Sequence, residues 1–194
     1  MSDRPPFEPG RTSSYVHPEF SALATHELTE ALNGLLADYF ALFVKTKGFC
    51  WHVTGPNFLE HRTLLAAHAA GLFKVIDPLG ERVRKLGGTS LFSVEDIVRR
   101  QRISKSQVTD ISAQRMFAVL RDDNQQLLCC LREAHGLCDG YGDVATMSLL
   151  GVWIDEAEAR LWHLHDSSGA IDSAMPSLSG GISRMPDRDS EGGS

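Results

Sequence analysis

No stretch of this chain is apolar for the roughly 18 residues that a bilayer crossing requires, so no membrane-spanning helix is expected. The first residues, MSDRPPFEPGRTSS, lack the apolar segment of a secretory leader, and the expected location is cytoplasmic. Cysteine is scarce and badly spaced for metal. Cys50, Cys129, Cys130 and Cys138 form no CxxC pair, and on a helix Cys129 and Cys130 point about 100° apart. That argues against zinc and for reduced, mostly buried thiols. Positive charge is also short. The formal net charge is −6, whereas a nucleic-acid binder ordinarily shows a basic patch or tail. No internal repeat is present.

What remains suits one packed domain between two tails. The hydrophobic fraction of 42% is enough for a core in a chain of 194 residues. Residues 1–20 and 169–194 are rich in Pro, Gly and Ser without periodicity, and read as flexible tails around a domain at 21–168.

Inside that domain the apolar spacing is helical throughout. A first helix is predicted from about Thr25 to His52, with Leu28, Leu32, Leu35, Leu36, Tyr39, Phe40 and Phe43 on one stripe. A second is predicted from an Asn57 N-cap, with Glu60 closing a capping box, to Leu86 before Gly87-Gly88. Thirty residues make a rod of roughly 45 Å. Pro78 lies within it and removes one backbone donor, so a local bend is expected. A short amphipathic piece spans about Val94 to Arg102. A third long helix runs from Ser112 to about Cys138, and a fourth from an Asp143 N-cap to about Asp166. The prediction is an all-α four-helix bundle with a long crossover between helices 2 and 3 that carries the short extra helix.

The most informative stretch is 48–87. It holds Asp77 and Glu81 one turn apart among Phe73, Ile76 and Leu79. Two like charges at that spacing repel unless a metal ion, Arg or Lys neutralises them. A second reading, a plain solvated helix face, stays open for this pair.

Trp51, His52, Gly55, Pro56, Asn57, Phe58, Asp77, Glu81, Arg82, Gly87 and Gly88, followed by RDDNQQL, DVATMSLL and WIDEAEARLW, make the chain resemble the Dps proteins. These are the small ferritins of starvation and oxidative stress. The likeness covers some three-quarters of the chain, to about Ser168. It implies a ferritin-like bundle that assembles as a homo-oligomeric dodecamer from two-fold dimers, stores iron and oxidises it at the dimer interfaces. It also implies a ligand set: a His before Trp51, a His and an Asp on the second helix, and an Asp and a Glu from the partner's second helix. Here the last two are Asp77 and Glu81, while the others are Cys50, Arg62 and Ala66. Three of the five implied ligands are therefore replaced, and iron binding at this position is expected to be weak.

The spacing offers a further reason to think of a dyad. Arg62 and Asp77 lie about 22 Å apart on one helix and cannot touch. The pairs Arg62/Glu81 and Ala66/Asp77 share one midpoint, near Gly71. Antiparallel packing of two copies about Gly71 sets Arg62 against Glu81 of the partner subunit and Ala66 beside Asp77 of the partner subunit. Arg is always protonated and is no metal ligand, but it forks onto carboxylates. The expectation is that Arg62 replaces the metal as counter-ion, with solvent exposure of Arg62 as the alternative. A rearranged site from His52, His61 and His68 is a third reading, although His61 and His68 are two turns apart. Packing or exposure is the default for His163 and His165.

Many Dps proteins bind DNA through Lys-rich tails. Here residues 1–25 carry Arg4 and Arg11 against Asp3, Glu8 and Glu19, and residues 169–194 carry Arg184 and Arg188 against Asp172, Asp187, Asp189 and Glu191. Neither releases many counterions, so direct DNA binding is not expected. Asp139 and Asp143 flank the turn before the fourth helix, where the family places an acidic iron pore. The other reading is a loop carboxylate and an N-cap. Two functional readings follow: an iron-storage shell with an impaired ferroxidase centre, or a non-catalytic shell subunit that co-assembles with an active paralogue.

Overall fold

Short loops tie the long helices into two hairpins, and this pairing sets the architecture. The structure is a computed structural model and describes residues 17–104 and 112–172. Helix α1 spans Ala22–His52, α2 Phe58–Lys85, α3 Val94–Arg100, α4 Ala113–Tyr141 and α5 Val144–Asp172. Helix α1 packs on α2, α4 packs on α5, and α1 also meets α4 and α3. The predicted four-helix bundle with a short helix in the crossover is the observed fold. The core is Leu28, Leu32, Leu35, Tyr39 and Leu42 of α1, Leu65, Leu72 and Leu79 of α2, Phe117, Leu120 and Leu127 of α4, and Leu150, Ala157 and Leu164 of α5.

The helix ends show why the chain turns where it does. Ser21, Ser93 and Ser112 cap α1, α3 and α4, each hydroxyl accepting from a backbone N–H three residues on. Helix α2 ends in a Schellman turn: Gly88 N–H donates to the Val83 carbonyl and Gly87 N–H to that of Arg84, with Gly87 at φ 90°. The next residue must be small. A Cβ on Gly88 would stand 2.3 Å from Cγ2 of Thr29. Helix α4 ends in the same way at Gly142, φ 70°, and Asp143 at once caps α5.

Two boundaries differ from the sequence reading. Asn57 is not a side-chain cap; it sits in the left-handed region at φ 61° and makes no capping hydrogen bond. Asn tolerates that conformation better than most residues, and the tight Val53–Asn57 connection uses it. Helix α5 runs to Asp172, past the expected end near Asp166 and four residues into the stretch read as tail. Helix α2 passes through Pro78 without interruption. Residues 1–16 and 173–194, most of the expected tails, lie outside the described residues.

Candidate metal centre

Helix α2 presents two different faces. Leu65, His68, Leu72, Val75, Leu79 and Val83 turn inward. Leu59, Arg62, Phe73, Asp77 and Glu81 turn outward. Asp77 and Glu81 are both exposed in the single chain. Glu81 forms a 2.7 Å ion pair with Lys85 one turn on. The hydrogen bond and charge of Lys85 hold Glu81 below the usual carboxylate range. Lys85 had no part in the sequence reading, although its i, i+4 spacing from Glu81 signals the pair. Arg62 is exposed, Ala66 and Gly71 are half-buried, and a Cβ on Gly71 would meet nothing within 4 Å. Cys50 is only 4% exposed, and its thiol donates to the Arg62 carbonyl at 3.6 Å. Within one chain, then, Cys50 meets the backbone of Arg62, Asp77 stays near Glu81, and the two groups remain apart along α2.

The outward face continues onto α1. Val44, Lys47 and Trp51 follow one another at helical spacing, Trp51 is 66% exposed, and the Lys47 ammonium lies over its ring. On α2 the neighbouring Phe73 is 58% exposed, although one side of its ring packs on Phe43. Large apolar groups are thus exposed on both α1 and α2.

The turn expected to hold acidic groups is built differently. Asp143 is 2% exposed. Its Oδ1 accepts from Thr146 N–H at 3.0 Å and from Arg82 Nη2 at 2.6 Å. Arg82 Nε donates to Thr146 Oγ1 at 2.7 Å, and Thr146 Oγ1 in turn donates to Asp143. The Asp143 carboxylate thus has the capping role and is turned inward; Asp139 beside it is exposed. Arg82, quoted in the sequence reading only as a matching residue, welds α2 to the start of α5. Its position on the buried side, with Leu79 and Val83, was the available signal.

The comparisons bear on this geometry. The ferritin-like domain family matches residues 29–173. The chain belongs to the ferritin-like family. A low temperature-induced protein of Nostoc sp. is 35% identical over 69% of this chain and 75% of its own length. The DNA protection during starvation protein of Brevibacillus brevis is 29% identical over 69% of this chain and 89% of its own. DpsC from Streptomyces coelicolor superposes with a TM-score of 0.76 at 22% identity, covering 80% of this chain and 91% of that one. Within the ferritin-like family, this is a Dps chain.

Dps membership implies iron as the substrate, and the donor set can be tested against it. A ferrous centre needs carboxylates and neutral imidazoles converging on one point. Among the described residues no group of three or more His, Cys, Asp or Glu side chains is placed to hold a metal. Of the five positions, one carboxylate already has an ammonium partner, one thiol is buried against backbone, and one position offers a guanidinium. Within one chain, then, these positions bring no three donors to one point among the described residues. The histidines are held in other contacts. His52 Nδ1 donates to the Gly48 carbonyl at 2.7 Å, His61 packs edge-on against Phe117, and His68 stacks on His163 with 3.4 Å between ring nitrogens. Burial, then Arg160 and His163, push His68 down to about 4. Among the described residues no helix is long and apolar enough to cross a membrane.

Proposed function

We propose that this Dps chain is the wall of a homo-oligomeric shell, a dodecamer built from two-fold dimers, that takes part in cytoplasmic iron storage and stress protection with an impaired ferroxidase centre. Membership of the ferritin-like family supports the broad role in iron storage and stress protection. The observation that carries the finer reading is the exposed outer face of α2, where Arg62 stands at a ligand position and Asp77 and Glu81 lie near the other end. About a dyad near Gly71, Arg62 meets the two carboxylates of the partner subunit. A guanidinium there balances their charge, competes with Lys85 for Glu81, and repels ferrous ion. The apolar surround of Val44, Trp51 and Phe73 favours a face that is covered in the assembly. Asp139 remains the acidic group free to guide cations near the turn. The negative tails favour a shell that does not bind DNA directly. A complete contact face around an incomplete ligand set also favours a second reading, in which the chain co-assembles with an active paralogue.

The test is anaerobic ferrous titration of the assembled protein, followed by oxidation with oxygen and with peroxide. Slow oxidation is expected with either oxidant. Fast oxidation that Asp77→Ala abolishes would overturn the reading. The pair Arg62→His with Ala66→Asp should raise the rate, since both positions lie outside the core. Adding Cys50→His completes the ligand set but crowds a buried site. Arg62→Ala should weaken the dimer in sedimentation. A subunit that is a stable monomer in light scattering would remove the shell altogether.

A further inference from the structure

The two ends of the α1–α2 hairpin are built as opposites. One end is hollow. A cleft of about 560 Å³ opens between the first turns of α1 and the loop that leaves α2, with Phe20, Asn33, Gly88, Leu91 and Phe92 among its lining. Phe92 is 78% exposed. Asn33 is buried; its Nδ2 donates to the Thr89 carbonyl at 2.9 Å, and its Oδ1 has no partner. The cleft therefore offers apolar wall and an unfilled acceptor. The other end projects. Phe58 and Leu59 open α2, and they are 42% and 66% exposed. No side chain caps that helix, so its leading N–H groups have no partner within the helix. This corner offers apolar side chains and unfilled donors, the complement of the cleft.

Within one chain the two ends cannot meet, because the length of α2, roughly 40 Å, separates them. A second copy brings them together, and this step rests on the two-fold reading of the α2 outer face. The dyad near Gly71 that sets Arg62 against Glu81 of the partner subunit also sets Leu59 level with Arg84 of the partner subunit. Residues 25 apart on a helix fall on nearly the same face, so Arg84 shares the outer face of Leu59. Arg84 is exposed, and its guanidinium donates to the carbonyl of Gly88 in the lining of the cleft. Each corner therefore arrives at the cleft of the other copy, and an isologous contact fills both clefts at once.

We propose that this cleft is a socket for the α1–α2 corner of a second copy of the chain. Phe58 of the partner subunit and Leu59 of the partner subunit pack against Phe20, Leu91 and Phe92, and the open first turn of that helix faces Asn33. The two sockets lie about 20 Å to either side of the dyad. They fix the register of the pair, since a slide of one helical turn along α2 would empty both. They also choose the partner: only a subunit with an apolar corner fits.

Disulfide trapping in the full chain tests the contact, in a Cys129→Ser background because Cys129 is exposed. Gly71→Cys reports on the dyad alone, and a Cβ there meets nothing within 4 Å in the single chain. Leu59→Cys combined with Phe92→Cys reports on the socket. Mild oxidation should give covalent dimers in both cases, and neither Leu59→Cys nor Phe92→Cys should link by itself. Dimers from Gly71→Cys with none from the combined pair would overturn the socket and leave the dyad standing. No link from either would overturn both. A second measurement follows dissociation on dilution, by sedimentation. Leu59→Asp places an acid in a first helical turn, where the helix dipole favours it, so the subunit should keep its helix content. Leu59→Asp and Phe92→Ser should each raise the dissociation constant of the dimer roughly tenfold or more. A constant unchanged in both variants would overturn the proposal.

Discussion

Glu81 and Arg82 are neighbours in sequence and opposites in environment. Glu81 stands on the outer face of α2, more than half exposed, and its ion pair with Lys85 spans one turn of one helix. Arg82 stands on the inner side, and its ion pair with Asp143 joins two helices across 61 residues of chain. Both pairs are short. Only the second is dry, and only the second also completes a helix cap. A surface pair adds little because water and salt screen it, while a buried pair is costly to break because the survivor is left charged and unsolvated. One helix thus carries a buried ion pair that joins two elements and, on its other side, an exposed pair within a single turn.

The contrast can be broken most forcibly at Asp143. Asp143→Ala removes the α5 cap and strands Arg82. The expected loss is about 3–5 kcal/mol in urea unfolding. A loss below about 1 kcal/mol would mean that water reaches this junction. Next comes acid. His68 is held neutral down to about pH 4 in the fold, whereas an unfolded His protonates near 6.5. Between those values the unfolded chain binds more protons, so stability rises with pH through this window. It is fully present above about 6.5 and lost as pH falls toward 4, on the order of 3 kcal/mol in all. Unfolding curves taken from pH 4 to 7 should show this slope, and His68→Gln should flatten it.

A third, smaller effect is expected at Gly88, where the end of α2 rests on α1. Gly88→Ala drives a methyl into Thr29, and overpacking of that kind costs about 1–3 kcal/mol. An unchanged Tm would show that the loop slides freely. The smallest effect belongs to the outer face. Glu81→Gln or Lys85→Ala should leave unfolding of the single subunit unchanged at physiological salt. The same substitutions should alter subunit association, and if association also stays the same, the outer face loses its assigned role.

The bundle was legible in the sequence because it rests on periodicity. The Leu28 to Phe43 stripe, the Gly87-Gly88 stop and the Asp143 cap are local signals, and each appears near its expected place. Asn57 was misread because a good capping residue is also a good left-handed residue, and sequence cannot tell which role the loop will demand. The end of α5 was misread because Gly and Ser after Asp166 resemble a tail, yet the backbone of 169–172 continues the helix. The candidate site was half legible. The substituted positions follow from the resemblance, but the Arg82–Asp143–Thr146 knot depends on contacts between distant segments. Nothing in a single helix announces it.

The carboxylate of Asp38 makes the crossover part of the bundle rather than a mere connection. It lies buried on α1, and its principal partner is Arg102, which offers both its backbone N–H and its guanidinium from 64 residues further along. Without Arg102, Asp38 would have no cation among the contacts it makes in the folded chain. The crossover supplies three donors to this one carboxylate. Arg102 therefore fastens the crossover to α1 by backbone and side chain together.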